Sequence, residues 1–111
     1  MADCLFCKII KGEIPTEFLY QDKNVVAFRS IHPEAPVHIL IVPKKHIDKL
    51  QDISDNDKEL LGQLLLAAKK IACQEKIEQG FKVVINCGKK GGQEVFHLHV
   101  HLLGGWEGGV D

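Results

Sequence analysis

The chain has no apolar run approaching the roughly 20 residues that span a bilayer, and Met1-Ala2-Asp3-Cys4 shows no basic-then-apolar leader. A cytoplasmic protein with no membrane partner is expected. Neither sign of charge is in excess, because 14 basic side chains are mixed with 15 acidic ones for a formal charge of −1. That excludes the broad basic field that grips a nucleic-acid backbone, so no nucleic-acid partner is expected and any phosphate must be held locally. Repeats and low-complexity segments are absent. Cysteine is sparse, at four residues. Reducing cytosol argues against disulfides, and the close pair Cys4 and Cys7 reads better as metal ligands. Cys73 and Cys87 lack such spacing and read as small buried apolar residues.

What is present is enough apolar material, 45% over 111 residues, for one domain spanning 1–111 around a single core. Residues 4–10 have helical apolar spacing, closed by Lys11-Gly12-Glu13-Ile14-Pro15, which predicts a short N-terminal helix. Phe18–Gln21 and Val25–Arg29 flank the turn residues Asp22-Lys23-Asn24 and predict a hairpin. Val37–Val42, ended by Pro43, predicts a strand buried on both faces.

From Ser54 the period becomes 3.6, with Leu60, Leu61, Leu64, Leu65, Ala68, Ile71 and Ala72 on one core-facing stripe. Ser54 and Asp57 suit a capping box, and Gly80 suits the stop. Strands are then expected at Phe81–Asn86 and Val95–Leu103, separated by the glycine-rich Gly88–Gly92. The sum is an α+β class: an antiparallel sheet of about five strands, one long helix and a short N-terminal helix.

Three of the six histidines fall at 97, 99 and 101, alternating with Leu98, Val100 and Leu102. In a strand all three imidazoles share one face. Burying them without partners is costly, so the array points to chemistry. A single metal shared by all three is strained, because His97 and His101 start roughly 13 Å apart while zinc sits about 2 Å from each ligating nitrogen. The alternative is a divided array in which the middle imidazole is a nucleophile. Neutral imidazole attacks an electrophilic phosphorus near pH 7 and splits hydrolysis into two displacements. The preceding Gly91-Gly92-Gln93-Glu94 can bring backbone N–H groups to phosphate oxygens.

The run His97-Leu98-His99-Val100-His101-Leu102-Leu103 resembles the signature of the histidine triad family at every position. Phe6–Ile10, Glu13-Ile14-Pro15, Pro43-Lys44-Lys45-His46, Gly92–Phe96 and Leu103-Gly104-Gly105 resemble its Hint branch of nucleoside phosphoramidate hydrolases. The resemblance implies a HIT-like fold, no organic cofactor, and a homodimer with the long helix and the 81–87 strand near its interface. It implies that His99 attacks the α-phosphorus of a purine nucleoside 5′-phosphoramidate, giving a nucleotidyl-histidine. His101 then contacts phosphate oxygens, His97 lies behind the nucleophile, and Asn86, Gly92, Gln93 and Glu94 surround the phosphate and leaving group. Phe6, Ile9, Phe28 and Ile31 form the base slot.

Ser30 stands where the family commonly has an aspartate holding the ribose, and Glu94 where some relatives have serine. Zinc is implied at Cys4, Cys7, His46 and His97 as a closed structural site; in relatives without the cysteines, the position of His46 serves a proton relay, and the two roles are exclusive. Dinucleoside polyphosphate hydrolysis and nucleotide binding with incidental turnover are the competing functions. A zinc-dependent hydrolase fits worst, since the implied ligands leave no open position. For His32 and His38, surface or strand-edge positions suffice.

Overall fold

The computed structural model describes residues 4–109. A helix α1 (Leu5–Ile10) is followed by strands β1 (Tyr20–Gln21), β2 (Val25–Arg29) and β3 (Val37–Pro43), a long helix α2 (Lys58–Gln74), and strands β4 (Phe81–Val84) and β5 (Val100–Gly104). The strands form one sheet in the order β1-β2-β3-β5-β4, antiparallel at every pairing. This is the α+β architecture that the alternating patterns predict.

Local chemistry sets the boundaries. Asp22 closes the first hairpin, its carboxylate accepting from the N–H groups of Asn24 and Val25 at 2.8 Å each. Ser54 and Asp57 complete the expected capping box, but around a short 3₁₀ turn at Asp55–Asp57 from which α2 continues. The helix stops earlier than Gly80. It ends at Gln74 because Lys76 adopts φ +62°, a left-handed C-terminal conformation that a non-glycine residue adopts here at some cost.

Strands β2 and β3 split their side chains between two cores. Val25, Ala27, Ile39, Ile41, Val100 and Leu102 pack under α2 against Leu64, Ala67, Ala68 and Ile71. Val26, Phe28, Leu40 and Val42 face the other way and pack under α1 with Phe6 and Ile9. β3 is buried on both faces, as its apolar run implies. Full burial of each such aliphatic side chain is worth about 1.5–3 kcal/mol, which is why the two central strands anchor the site.

Several expectations are corrected. Leu65 is 51% exposed and lies outside the core stripe, with Ala67 buried in its place, because the 3.6-residue period of α2 turns its 65 position away from the face that carries Leu64, Ala68 and Ile71. Cys73 is exposed and Cys87 half-buried, so neither fills the core; Cys73 follows Ala72 on the outward side of α2. β4 ends at Val84 rather than Asn86, and β5 begins at Val100 rather than Val95. Residues 95–99 leave the ladder because His97 and His99 are held by side-chain and loop partners described below. His38 is buried, 5% exposed, instead of lying at a surface or edge. It sits in the central strand β3, where its ring has polar partners. Among the described residues no helix is long and apolar enough to cross a membrane.

Candidate functional site

All the site histidines lie on the α1 side of the sheet, the side opposite Val100 and Leu102. The inward alternation of Leu98, Val100 and Leu102 is kept, at 1%, 0% and 0% exposure, so the imidazoles at 97, 99 and 101 are turned the other way even though only His101 belongs to a strand. Among the described residues no buried side-chain nitrogen or oxygen lacks a hydrogen-bond partner. The ring partners therefore fix which nitrogen carries each proton.

For His99, Nδ1 lies 2.8 Å from the His97 carbonyl. A carbonyl only accepts, so Nδ1 holds the proton and Nε2 keeps its lone pair. The ring is buried, 7% exposed, and Phe6 packs edge-on at 5.1 Å between centroids. Burial pushes its pKa below the ordinary histidine value, opposed by the hydrogen bond to the His97 carbonyl and assisted by the charge of His38. A neutral imidazole with a free Nε2 is a competent nucleophile at neutral pH.

His97 points elsewhere. Its Nε2–H donates to the Pro43 carbonyl at 2.7 Å, which leaves Nδ1 unprotonated 3.3 Å from Cys4 Sγ and 3.6 Å from Cys7 Sγ. His46 repeats the arrangement: Nε2 meets the Asp48 carboxylate at 2.6 Å, and Nδ1 lies 3.3 Å from Cys7 Sγ. The four ligand atoms of Cys4, Cys7, His46 and His97 lie within 4.8 Å of one another. A tetrahedral zinc with bonds of about 2.3 Å to sulfur and about 2.0 Å to nitrogen has ligand–ligand edges of roughly 3.3–3.8 Å.

The donor set fits a structural metal. Outer partners on both imidazoles are the usual companions of ligating histidines, since they fix the tautomer that offers Nδ1. The sequence explains the convergence. Cys4 caps α1, its Sγ accepting the Cys7 N–H at 3.3 Å, and the one-turn spacing brings both sulfurs to the helix start. The Leu98 N–H donates to the Ile47 carbonyl at 2.6 Å, tying the segment of His97 to that of His46. Burial, then Cys4, raise the Cys7 thiol pKa, so without a metal the Cys7 thiol keeps its proton.

Gln93 is 4% exposed and fully engaged. Its Oε1 accepts from Gly88 N–H at 2.9 Å, and its Nε2 donates to the carbonyls of Asp48 and Val95 at 2.7 and 2.9 Å. Its part is to bolt the glycine loop to the site. Gly88 and Gly92, at φ +81° and +90°, supply the left-handed turns of that loop. Asn86 Nδ2 donates to the Gly91 carbonyl at 3.0 Å, while Gly92 and Glu94 are exposed beside it.

Phe6, Ile9 and Phe28 come together as members of the core under α1, but Ile31 does not join them. At 85% exposure it lies on the surface, because β2 ends at Arg29 and Ser30 Oγ accepts from the His32 N–H in a local turn. Two residues of the site were missed from the sequence. Asp48 gave no signal. His38 did: a histidine inside an apolar strand buried on both faces carries the same burial cost that singled out the triad.

The comparisons agree with this fold. A family model described as HIT domain matches residues 11–108. The chain belongs to the HIT domain family. This HIT protein is 46% identical to protein HitA of Neisseria gonorrhoeae over 104 residues, 94% of this chain and 97% of that one. A solved HIT family hydrolase from Legionella pneumophila Philadelphia 1 superposes with a TM-score of 0.92 at 52% identity, covering 95% of both chains. A histidine triad nucleotide-binding protein from Candida albicans gives 0.82 at 36% identity, covering 98% of this chain and 86% of that one. Family and hydrolase relatives support hydrolase chemistry in general for the HIT protein.

Proposed function

We propose that this HIT protein hydrolyses purine nucleoside 5′-phosphoramidates through a nucleotidyl-His99 intermediate. The observation that carries the reading is the hydrogen bond from His99 Nδ1 to the His97 carbonyl, which leaves Nε2 as an unprotonated nucleophile. In the first displacement Nε2 forms an N–P bond to the α-phosphorus as the substrate P–N bond breaks, and the leaving amine takes a proton from solvent. In the second, water breaks the His99–P bond, releasing the nucleoside monophosphate and the neutral ring. His101 faces the non-bridging oxygens, and Gly92, Asn86 and the exposed Glu94 line the loop side. Phe6 and Phe28 support the nucleophile from the core, Ile9 packs with them, and Ile31 and Ser30 are left at the surface to meet base and ribose.

Cys4, Cys7, His46 and His97 would hold a zinc ion with all four positions closed. Such an ion ties α1 to the catalytic segment and supplies rigidity, not a reacting water. With His46 so engaged, a proton relay through it is not part of this reading.

A homodimer is proposed on the apolar surface that the chain leaves uncovered: Leu65 and Leu66 on α2, 51% and 58% exposed, with Phe81 and Val83 on the edge strand β4, 36% and 39% exposed. Sedimentation equilibrium decides this, and a monomer at micromolar concentration sinks it. The catalytic reading is tested with adenosine 5′-phosphoramidate. His99→Ala should abolish turnover and the mass-spectrometric nucleotidyl adduct seen when wild-type protein is quenched in turnover; a variant with wild-type rate overturns it.

A further inference from the structure

A second imidazole pair, His38 buried and His101 half-buried, lies beside His99. In the β3–β5 register Leu40 sits opposite His101 and His38 opposite Leu103, so His38 reaches His101 diagonally on the same face. His38 Nε2 and His101 Nδ1 are 3.0 Å apart, and the other nitrogen of His38, Nδ1, faces the Glu34 backbone N–H at 3.0 Å.

A backbone N–H can only donate, so His38 Nδ1 must accept and carries no proton. Its proton is then on Nε2, and that N–H donates to His101 Nδ1. His101 Nδ1 therefore also accepts, which forces the His101 proton onto Nε2. We propose that His38 is a positioning residue that fixes His101 in the Nε2–H tautomer, so that the ring presents a hydrogen-bond donor beside His99. The rings of His99 and His101 are 4.8 Å apart between centroids. The two neighbours thus present opposite ends of the same chemistry: a lone pair at His99 Nε2 and a proton at His101 Nε2.

The remaining titratable neighbours are His99 and Glu34. Burial, then the neighbouring histidines, push His101 down to about 4, and burial lowers His38 as well, so neither ring departs from the neutral forms this chain of donors requires. A protonated His38 would set two donors, its own Nδ1–H and the Glu34 N–H, against each other. The catalytic consequence rests on the reading of His99 as nucleophile, since the donor of His101 matters only where charge builds on a phosphate oxygen. The tautomer itself does not.

The test separates the two. In ¹⁵N-histidine-labelled wild-type protein without substrate, two-bond ¹H–¹⁵N correlation spectra should show His101 protonated at Nε2 and bare at Nδ1. The reverse pattern, or a mixture of the two tautomers, overturns the proposal and needs no variant to be folded. H38Q keeps a donor toward His101 and should keep the wild-type pattern. H38E can only accept, so His101 should turn a proton to Nδ1. Above the pH at which that ring is neutral, kcat should fall about 10²-fold, the usual cost of one lost donor to a developing oxyanion, with KM moving far less. A His101 tautomer indifferent to H38E overturns the positioning role. If His99→Ala retains turnover while the spectra are as stated, the catalytic reading fails and the tautomer assignment stands.

Discussion

Removal of a single sulfur from the Cys4, Cys7, His46 and His97 cluster tests the arrangement most directly. The three ligand contacts that define its shape are Cys4 to His97 at 3.3 Å, Cys7 to His46 at 3.3 Å and Cys7 to His97 at 3.6 Å, all near the edges of a zinc tetrahedron. Cys7 takes part in two of the three, so Cys7→Ser should cost more metal than Cys4→Ser. Wild-type protein should carry one zinc per chain by inductively coupled plasma mass spectrometry, and either variant far less. If zinc is present at about 100 times its dissociation constant, it adds about 2.7 kcal/mol to folding. For a domain of this size that is worth roughly 10 °C in Tm. Chelation should lower the wild-type Tm by that order and leave the variants unmoved. Because the ligands act as a unit, the doubly substituted chain should be little worse than Cys7→Ser. Zinc well below one equivalent, together with a Tm that neither chelator nor added zinc shifts, refutes the reasoning.

Three further outcomes are expected. A Cβ at Gly104 would sit 2.7 Å from Ile77 Cδ1, so Gly104→Ala should cost about 1–3 kcal/mol by overpacking, measured by urea unfolding and largely relieved by adding Ile77→Val. Gln93→Ala removes three hydrogen bonds that hold the glycine loop and should cost about 2–3 kcal/mol, with faster amide exchange confined to residues 86–94 as its signature. Stability should also fall as pH drops from about 6.5 toward 4. His101 is pushed down to about 4 in the fold against about 6.5 in the unfolded chain, so unfolded molecules bind a proton that folded ones refuse. The stability is fully present above the unfolded value and is lost through that window. At face value the loss approaches 3 kcal/mol, and about half that once solvent around the partly exposed ring is allowed for. Calorimetry across pH 4–7 checks it, and His101→Gln should flatten the profile.

The parts of the fold that were legible in the sequence are those where one local signal dominates. The capping box at Ser54 and Asp57 marked the turn from which α2 continues, and the apolar run of β3 announced a strand buried on both faces. Its far end was illegible because Lys76, not glycine, takes the left-handed turn. The start of β5 was misplaced for a related reason. Alternation persists through Leu98, but the ladder is abandoned where His97 turns toward the cysteines, and a pattern of alternate burial cannot distinguish a paired strand from an extended segment held by its side chains. Within the site, the division of the three histidines followed from their spacing alone. What was not legible was, first, long-range: His38 meets His101 only because β3 and β5 are neighbours in the sheet; the Asp48 carboxylate on His46, two residues away, lies in an irregular segment that no period announces.

The bond that orients the His99 ring is made to the main chain of His97, whereas the imidazole of the same residue faces the cysteine cluster. Any amino acid at that position would still offer its carbonyl. Descendants of this gene can therefore discard both thiols and the imidazole at 97 while inheriting an unchanged orientation of the ring at 99, so that the two halves of the cluster are free to drift apart.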